Sequence, residues 1–530
     1  MDQLTLLFAL LLGSVVMVPL AEWLRVPPPV LMTVFGGGLA LLPAVPDVSL
    51  PPEFILPLVL PPVLYAAVQR TSWRQFAANI RPILLLAVAL VFVTTAAVAA
   101  VAQLVVPDLP LAPAIALGAL VAPPDPVAAT AVAGRLGLPR RMVSILEGEG
   151  LFNDVTAITL YHVAITAAVT GSFSAWEAGG ELVLSALVAV VVGLALGWLT
   201  TRLLVLLGDA TLRTGLTLLA PFAAYAVAEE LHGSGVLSVL VAALFVGERA
   251  TDPDDVTGRL TGQSFWAVMD LLVTGVAFGL IGLELNVVLT AASGRWGELL
   301  PAAGLVLVAV VLVRLLWLLP AAWLAKRLHR RANLDEDIPH SWRETVIMWW
   351  SGMRGVASVA LALAVPLTVD DGGAFPERNA IIFIAFTVVV GTLLIQGLTL
   401  PWLANRLGVR GDSRREEELE HELAVRAAKA AKRRLREITH EMDLPEETSE
   451  ALLRRAYDIG MRLSPRVAEE DRREYATQRT QRVREMQRLH SELLSAARRA
   501  VLDARGEPGT DPEVVDRVLN ELDRRSLPHG

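Results

Sequence analysis

Apolar residues run through the first 404 positions in blocks of about 20, separated by short polar breaks, and that block length matches a helix crossing the hydrocarbon core of a bilayer. Thirteen such blocks are placed. They begin with one at about 4–21 and include a fifth at about 111–134, a sixth at about 142–170, a seventh at about 181–206, a twelfth at about 342–367 and a last at about 379–404. The first block has no basic stretch before it and is followed at once by further blocks, so it reads as a spanning helix and not a cleaved leader. Beyond residue 404 the pattern changes. Arg and Lys alternate with Glu, and Leu, Ala or Met recur at helical spacing, as in Ala424 to Ile438 and Arg484 to Leu502. The expected organisation is a membrane domain over 1–404 and a cytosolic helical tail over 405–530 that serves regulation or assembly.

Composition agrees with this division. Of 530 residues, 54% are hydrophobic and 19% charged, and the mean hydropathy is +0.52, too apolar for an ordinary soluble protein. The net charge of −8 arises wholly in the membrane domain, because the tail balances 26 basic residues against 26 acidic ones. No nucleic-acid partner is implied. Cysteine is absent, which removes disulfides, thiolate metal sites and cysteine nucleophiles. With the N-terminus outside, the inner loops and their edges carry sixteen Arg or Lys and the outer loops only Arg295 and Arg378, so the tail is expected on the cytosolic side of the cell membrane.

Ionisable residues inside spans cost about 2.5 to 3.5 kcal/mol each on insertion scales, so function is their default explanation. Asp125, Glu147, Glu149, Asp154, Asp270, Arg314 and Arg354 fall there. Two spans also hold helix breakers beside a charge: A-P-P-D-P at Ala122 to Pro126, with Pro123, Pro124 and Pro126, and W-S-G-M-R-G at Trp350 to Gly355, with Gly352. Backbone released from helical hydrogen bonding within a bilayer has to line a cavity or be reused by protein or ion. These are the fifth and twelfth spans, which become equivalent if spans 1–6 and 8–13 form two six-helix repeats of opposite orientation. Broken helices crossing in inverted repeats place an ion site near the bilayer midplane. The expected fold is therefore all-α, with about thirteen spans, two inverted repeats and crossed broken helices.

The sixth span opens G-E-G-L-F-N-D, Gly148 to Asp154. Glu149 precedes Asp154 by five positions, about 140° around a helix of 3.6 residues per turn, so the two carboxylates face different ways. Asp154 then converges on Asp125, while Glu149 reaches for a cation elsewhere. Hydrocarbon penalises an empty charged carboxylate, so proton and metal cation compete for the same oxygens, which is sufficient for exchange of one for the other. Asp125, between prolines, fits either ion binding or the cap of the second half-helix.

These residues are where the chain resembles the bacterial relatives of sodium/proton exchangers, within the monovalent cation:proton antiporter class. The likeness covers nearly all of 1–404: L-P-P-V-L-Y-A-A at Leu60 to Ala67, N-I-R-P-I-L-L-L-A-V at Asn79 to Val88, P-P-D-P-V-A at Pro123 to Ala128, G-E-G-L-F-N-D, F-G-L-I-G at Phe278 to Gly282, and G-M-R-G at Gly352 to Gly355. The resemblance implies a Na+/H+ antiporter, without a cofactor, whose cargo is Na+ (or Li+) and H+. It implies that Asp154 is the shared ion- and proton-binding carboxylate, that Asn153 beside it belongs to the cation/proton-binding site and marks electroneutral members, and that Asp125 contributes to binding. Asp154 and Asp125 are thus the expected cation ligands, supported by a Glu149–Arg354 ion pair. It further implies a homodimer in the plasma membrane that works by an elevator-like movement. Side-chain oxygens usual in the family are replaced by Pro124, Gly150 and Ala66. A potassium/proton antiporter and, further off, a cation channel are the rival readings. No G-x-S-x-G or H-E-x-x-H pattern suggests an enzyme.

Overall fold

The computed structural model describes residues 3–42, 52–68, 80–125, 129–130, 137–171, 175–249, 256–332 and 341–410, with short pieces between 418 and 438. Pro126 and nearly all of the tail lie outside the described residues. The chain divides into two units, Met1–Gly411 and Asp412–Gly530, and the first carries everything that follows.

Helices overlap each of the apolar blocks. In order they are α1 (Gln3–Leu24), α2 (Pro28–Ala40), α3 (Pro52–Val68), α4 (Ile80–Val105), α5 (Leu111–Val121), α6 (Arg140–Thr170), α7 (Ala175–Leu206), α8 (Ala210–Glu230), α9 (Gly235–Arg249), α10 (Val256–Leu283), α11 (Leu285–Ala291), α12 (Trp296–Ala332), α13 (Trp342–Trp350), α14 (Val356–Leu363) and α15 (Arg378–Leu407). No strand occurs among the described residues. Seven of these helices are long and apolar enough to cross a membrane. α7 turns Leu184, Leu187, Val191, Leu194 and Trp198 outward at helical spacing, a stripe that only a non-aqueous surrounding accommodates.

The breaks fall where proline and glycine put them. α5 stops at Val121, ahead of Pro123 and Pro124, because proline supplies no N–H and pushes the residue before it out of the helical region. The twelfth span separates into α13 and α14 across Ser351 to Gly355, with Gly355 extended at φ −139° and ψ −151°. α4 takes a π turn at Leu85–Ala89, packed against α6.

Two apolar clusters flank the breaks. The larger joins α4, α5, α12, α13, α14 and α15 and takes in residues of α2, α6, α10 and α11, with α15 buried along most of its length. A second joins α3, α8 and α9 through Leu60, Leu64, Ala224, Val239 and Leu240, with Tyr65 stacked on Trp266 of α10 at 4.6 Å. α10 lies against α1, α2, α3 and α8. α6, which carries the Asn-Asp pair, contributes Ile145 and Tyr161 to the first cluster and Leu151 to the second.

Candidate functional site

The two breaks meet. The Asp125 backbone N–H donates to the Met353 carbonyl at 2.6 Å, so the extended piece after α5 touches the extended piece between α13 and α14. A half-helix that ends inside a bilayer leaves its last carbonyls without donors and carries a partial negative charge at that end. Both ends here receive an arginine. The Arg354 guanidinium donates from Nε to Val121 O at 2.8 Å, from Nη2 to Ala122 O at 3.0 Å and from Nη1 to Gly352 O, closing the end of α5. Its backbone N–H donates to Thr392 Oγ1 of α15 at 3.1 Å. At the end of α13, Arg314 of α12 donates from Nε and Nη2 to Met348 O, each at 3.2 Å.

Arg314 is also the partner of Glu149. Nη2 donates to Glu149 Oε2 at 2.8 Å and Nη1 to Oε1, a two-pronged pair in which both side chains are buried. The expected Glu149–Arg354 pair is therefore corrected: Arg354 is committed to the carbonyls of α5, and the cation that Glu149 reaches is Arg314. Arg314 is a structural keystone that joins α6, α12 and α13. Gly352 permits it, because a Cβ there would stand 2.6 Å from Arg314 Cδ.

On the opposite side of the crossing stands Asp125. Its carboxylate packs on Gly355, where a Cβ would overlap it, at the N-terminus of α14. The partial positive charge of that helix end favours the anion. Asn153 ties α6 to the same break, since its Nδ2 donates to Pro124 O at 2.8 Å. Its Oδ1 is buried and accepts nothing among the described residues.

Asp154 and Asp125 line one cavity of about 50 Å3, walled by Pro123, Leu151 and the start of α14 on one side and by Leu60, Val63, Leu64, Ala277 and Phe278 on the other. The sequence therefore foresaw the convergence of Asp154 on Asp125, which the geometry brings about, while Glu149 faces away. Thr274 and Ser358 line the same cavity, and neither drew notice in the sequence, because hydroxyls are common in spans and carry no insertion penalty large enough to flag them. No group of three or more His, Cys, Asp or Glu is assembled among the described residues. A small cavity with two carboxylates fits one dehydrated or partly hydrated cation and the proton that replaces it.

Comparison with known proteins gives the same direction. Residues 7–406 match the family model described as the transmembrane part of the sodium/hydrogen exchangers. An uncharacterised Na+/H+ exchanger of Mycobacterium tuberculosis is 35% identical over 405 residues, which are 75% of this chain and 73% of that protein. A sodium, potassium, lithium and rubidium/H+ antiporter of Bacillus pumilus is 30% identical over 396 residues, covering 72% of this chain and 58% of the relative. Among solved structures, the sodium proton antiporter MjNhaP1 of Methanocaldococcus jannaschii superposes with a TM-score of 0.59 at 22% identity, covering 76% of this chain and 98% of that one, a likeness of fold.

Proposed function

The chain belongs to the sodium/hydrogen exchanger family, and on that premise we propose that it exchanges Na+ or Li+ for protons across the cell membrane, with Asp154 as the site both share. The observation that carries this reading is that Asp154 and Asp125 line one cavity at the crossing of the two broken spans. A carboxylate there is stable when it holds either a proton or a cation, and costly when empty and charged. Exchange follows, because the site crosses only when loaded.

The backbone around the cavity is prepared for this. Arg354 and Arg314 neutralise the carbonyl ends of α5 and α13, and neither lines the cavity. Asn153 holds the break at Pro124 through its amide nitrogen and keeps an amide oxygen beside Asp154. The reading includes thirteen spans in two inverted repeats, an outside N-terminus, a cytosolic tail over 405–530, a homodimer, and elevator-like movement of the body carrying the crossing against the body formed by α1, α2, α3 and α7–α10. Such movement around a midplane site is the usual form of alternating access in inverted-repeat transporters.

Asp154 as sole carrier makes the exchange one for one, since each half-cycle moves one positive charge. The test is flux in proteoliposomes driven by an imposed pH gradient, run separately with Na+, Li+ and K+, with the potential then clamped by K+ and valinomycin if K+ itself is not carried. Na+ or Li+ flux that follows the pH difference and ignores the potential supports the reading; a final gradient that shifts with potential points to Asp125 as a second proton carrier. The name of the Bacillus pumilus relative supports a second reading, in which potassium is also cargo, and the K+ arm decides it.

A further inference from the structure

Two carboxylates do not complete the shell of a hard cation, which takes roughly six oxygens in a stripped site. Of the residues next to them in sequence only Asn153 brings a side-chain oxygen: Pro123 and Pro124 precede Asp125, and Gly150 and Leu151 lie on the turn before Asp154. The cavity wall supplies what the sequence neighbours lack. Of its lining residues, only Asp125, Asp154, Thr274 and Ser358 carry a side-chain oxygen. We propose that Thr274 and Ser358 are cation ligands and complete the site.

Their chemistry suits the role. The Thr274 hydroxyl donates its proton to Asp270 Oδ1, one turn earlier on α10, at 3.4 Å, which leaves the lone pairs of Oγ1 as acceptors for a cation. Asp270, an intramembrane carboxylate with no other evident task in transport, is then a positioning residue for that hydroxyl. Ser358 is buried in the first turn of α14, three residues from the Gly355 on which the Asp125 carboxylate packs. The remaining wall, Val59, Leu60, Val63, Leu64 and Ala67 of α3, offers only hydrocarbon.

The two hydroxyls sit on different helices, Thr274 on α10 and Ser358 on the broken span, and this gives the proposal its content. Ser358 belongs with Asp125 and Arg354 to the crossing, so it travels with the carboxylates. Thr274 belongs to α10, which packs mainly on α1, α2, α3 and α8 and only lightly on α14. If the antiport reading holds, on which this sidedness rests, displacement of one body against the other removes Thr274 from the cation while Ser358 stays. Cation affinity is then higher in the access state with Thr274 in place, and the asymmetry is built from one hydroxyl.

Thr274→Val keeps the shape and removes the oxygen, Thr274→Ser keeps the oxygen, and Ser358→Ala removes the other ligand. Apparent KM for Na+ is measured from each face, in right-side-out and inside-out vesicles, and the Na+-induced rise in melting temperature is measured on the purified full chain. Loss of one neutral oxygen ligand is expected to raise KM about tenfold. Thr274→Val should do this from one face only, Thr274→Ser should restore it, and Ser358→Ala should raise KM from both faces. Both oxygen-deleting variants should show a smaller Na+-induced stabilisation. Unchanged KM and unchanged Na+ stabilisation in both would overturn the proposal, as would failure of Thr274→Ser to recover the loss. Unsubstituted protein that is stabilised by Na+ but exchanges no cation for protons would instead sink the antiport reading and leave the ligand assignment to the stabilisation data.

Discussion

Glu149 of α6 and Arg314 of α12 form a buried two-pronged ion pair, with Arg314 Nη2 2.8 Å from Glu149 Oε2, and the same guanidinium donates to Met348 O at the end of α13. One side chain therefore fixes the helix that carries Asp154 to the stump of a broken span. Taking away one member leaves a buried charge without its two-pronged partner.

For that reason Glu149→Gln and Arg314→Met are each expected to destabilise the protein by about 3 to 5 kcal/mol, and the double substitution to cost clearly less than the two together. Glu149→Gln combined with Arg354→Met should lack this compensation. Melting of the detergent-purified variants checks both cycles, and additive losses for Glu149 with Arg314 would show that the pair does not bear on stability.

Gly355 and Arg354 hold the two sides of the crossing. Gly355→Ala places a methyl where the Asp125 carboxylate packs, and is expected to cost about 1 to 3 kcal/mol and to abolish exchange. Arg354→Lys keeps the charge but cannot reach Val121 O, Ala122 O and Gly352 O together, and a stranded buried carbonyl costs about 1 to 3 kcal/mol. The check is vesicle exchange beside melting temperature. Full exchange by Gly355→Ala would show that Asp125 does not need its place on the glycine.

The tail is a separate matter. Its 26 basic and 26 acidic residues at helical spacing read as a solvated regulatory or assembly segment. Truncation after residue 410 is expected to leave exchange intact and to alter its pH dependence or the stability of the oligomer. A truncated chain that inserts normally and exchanges at no pH would place the tail in the transport unit.

Much of this was legible in the sequence, for physical reasons that also mark where legibility stops. Block length gave the helices, and Pro123, Pro124, Gly352 and Gly355 gave the breaks, because breakers inside an apolar block have few uses. Asp154 and Asp125 stood out through the cost of a carboxylate in hydrocarbon. The partner of Glu149 did not. Two arginines lie inside spans, and sequence separation does not say which of two long side chains crosses to α6; that choice was made by the carbonyl ends of α5 and α13, each of which demanded one arginine. Thr274 and Ser358 were invisible for the opposite reason, since a hydroxyl in a span costs little and leaves no mark in composition.

The account rests on Asp154 as the group that carries either cargo, and the most direct test is proton–cation exchange by Asp154→Asn in proteoliposomes beside the unsubstituted protein. Addition of Na+ or Li+ to vesicles holding a pH gradient should collapse the gradient with the unsubstituted protein, and should leave it untouched with Asp154→Asn while the variant melts at a temperature at least as high. Asparagine fills the same volume and accepts a hydrogen bond but takes up no proton in this range, so retained folding with lost exchange isolates the chemistry. A gradient that collapses on addition of Na+ or Li+ at the same rate with Asp154→Asn would contradict the account.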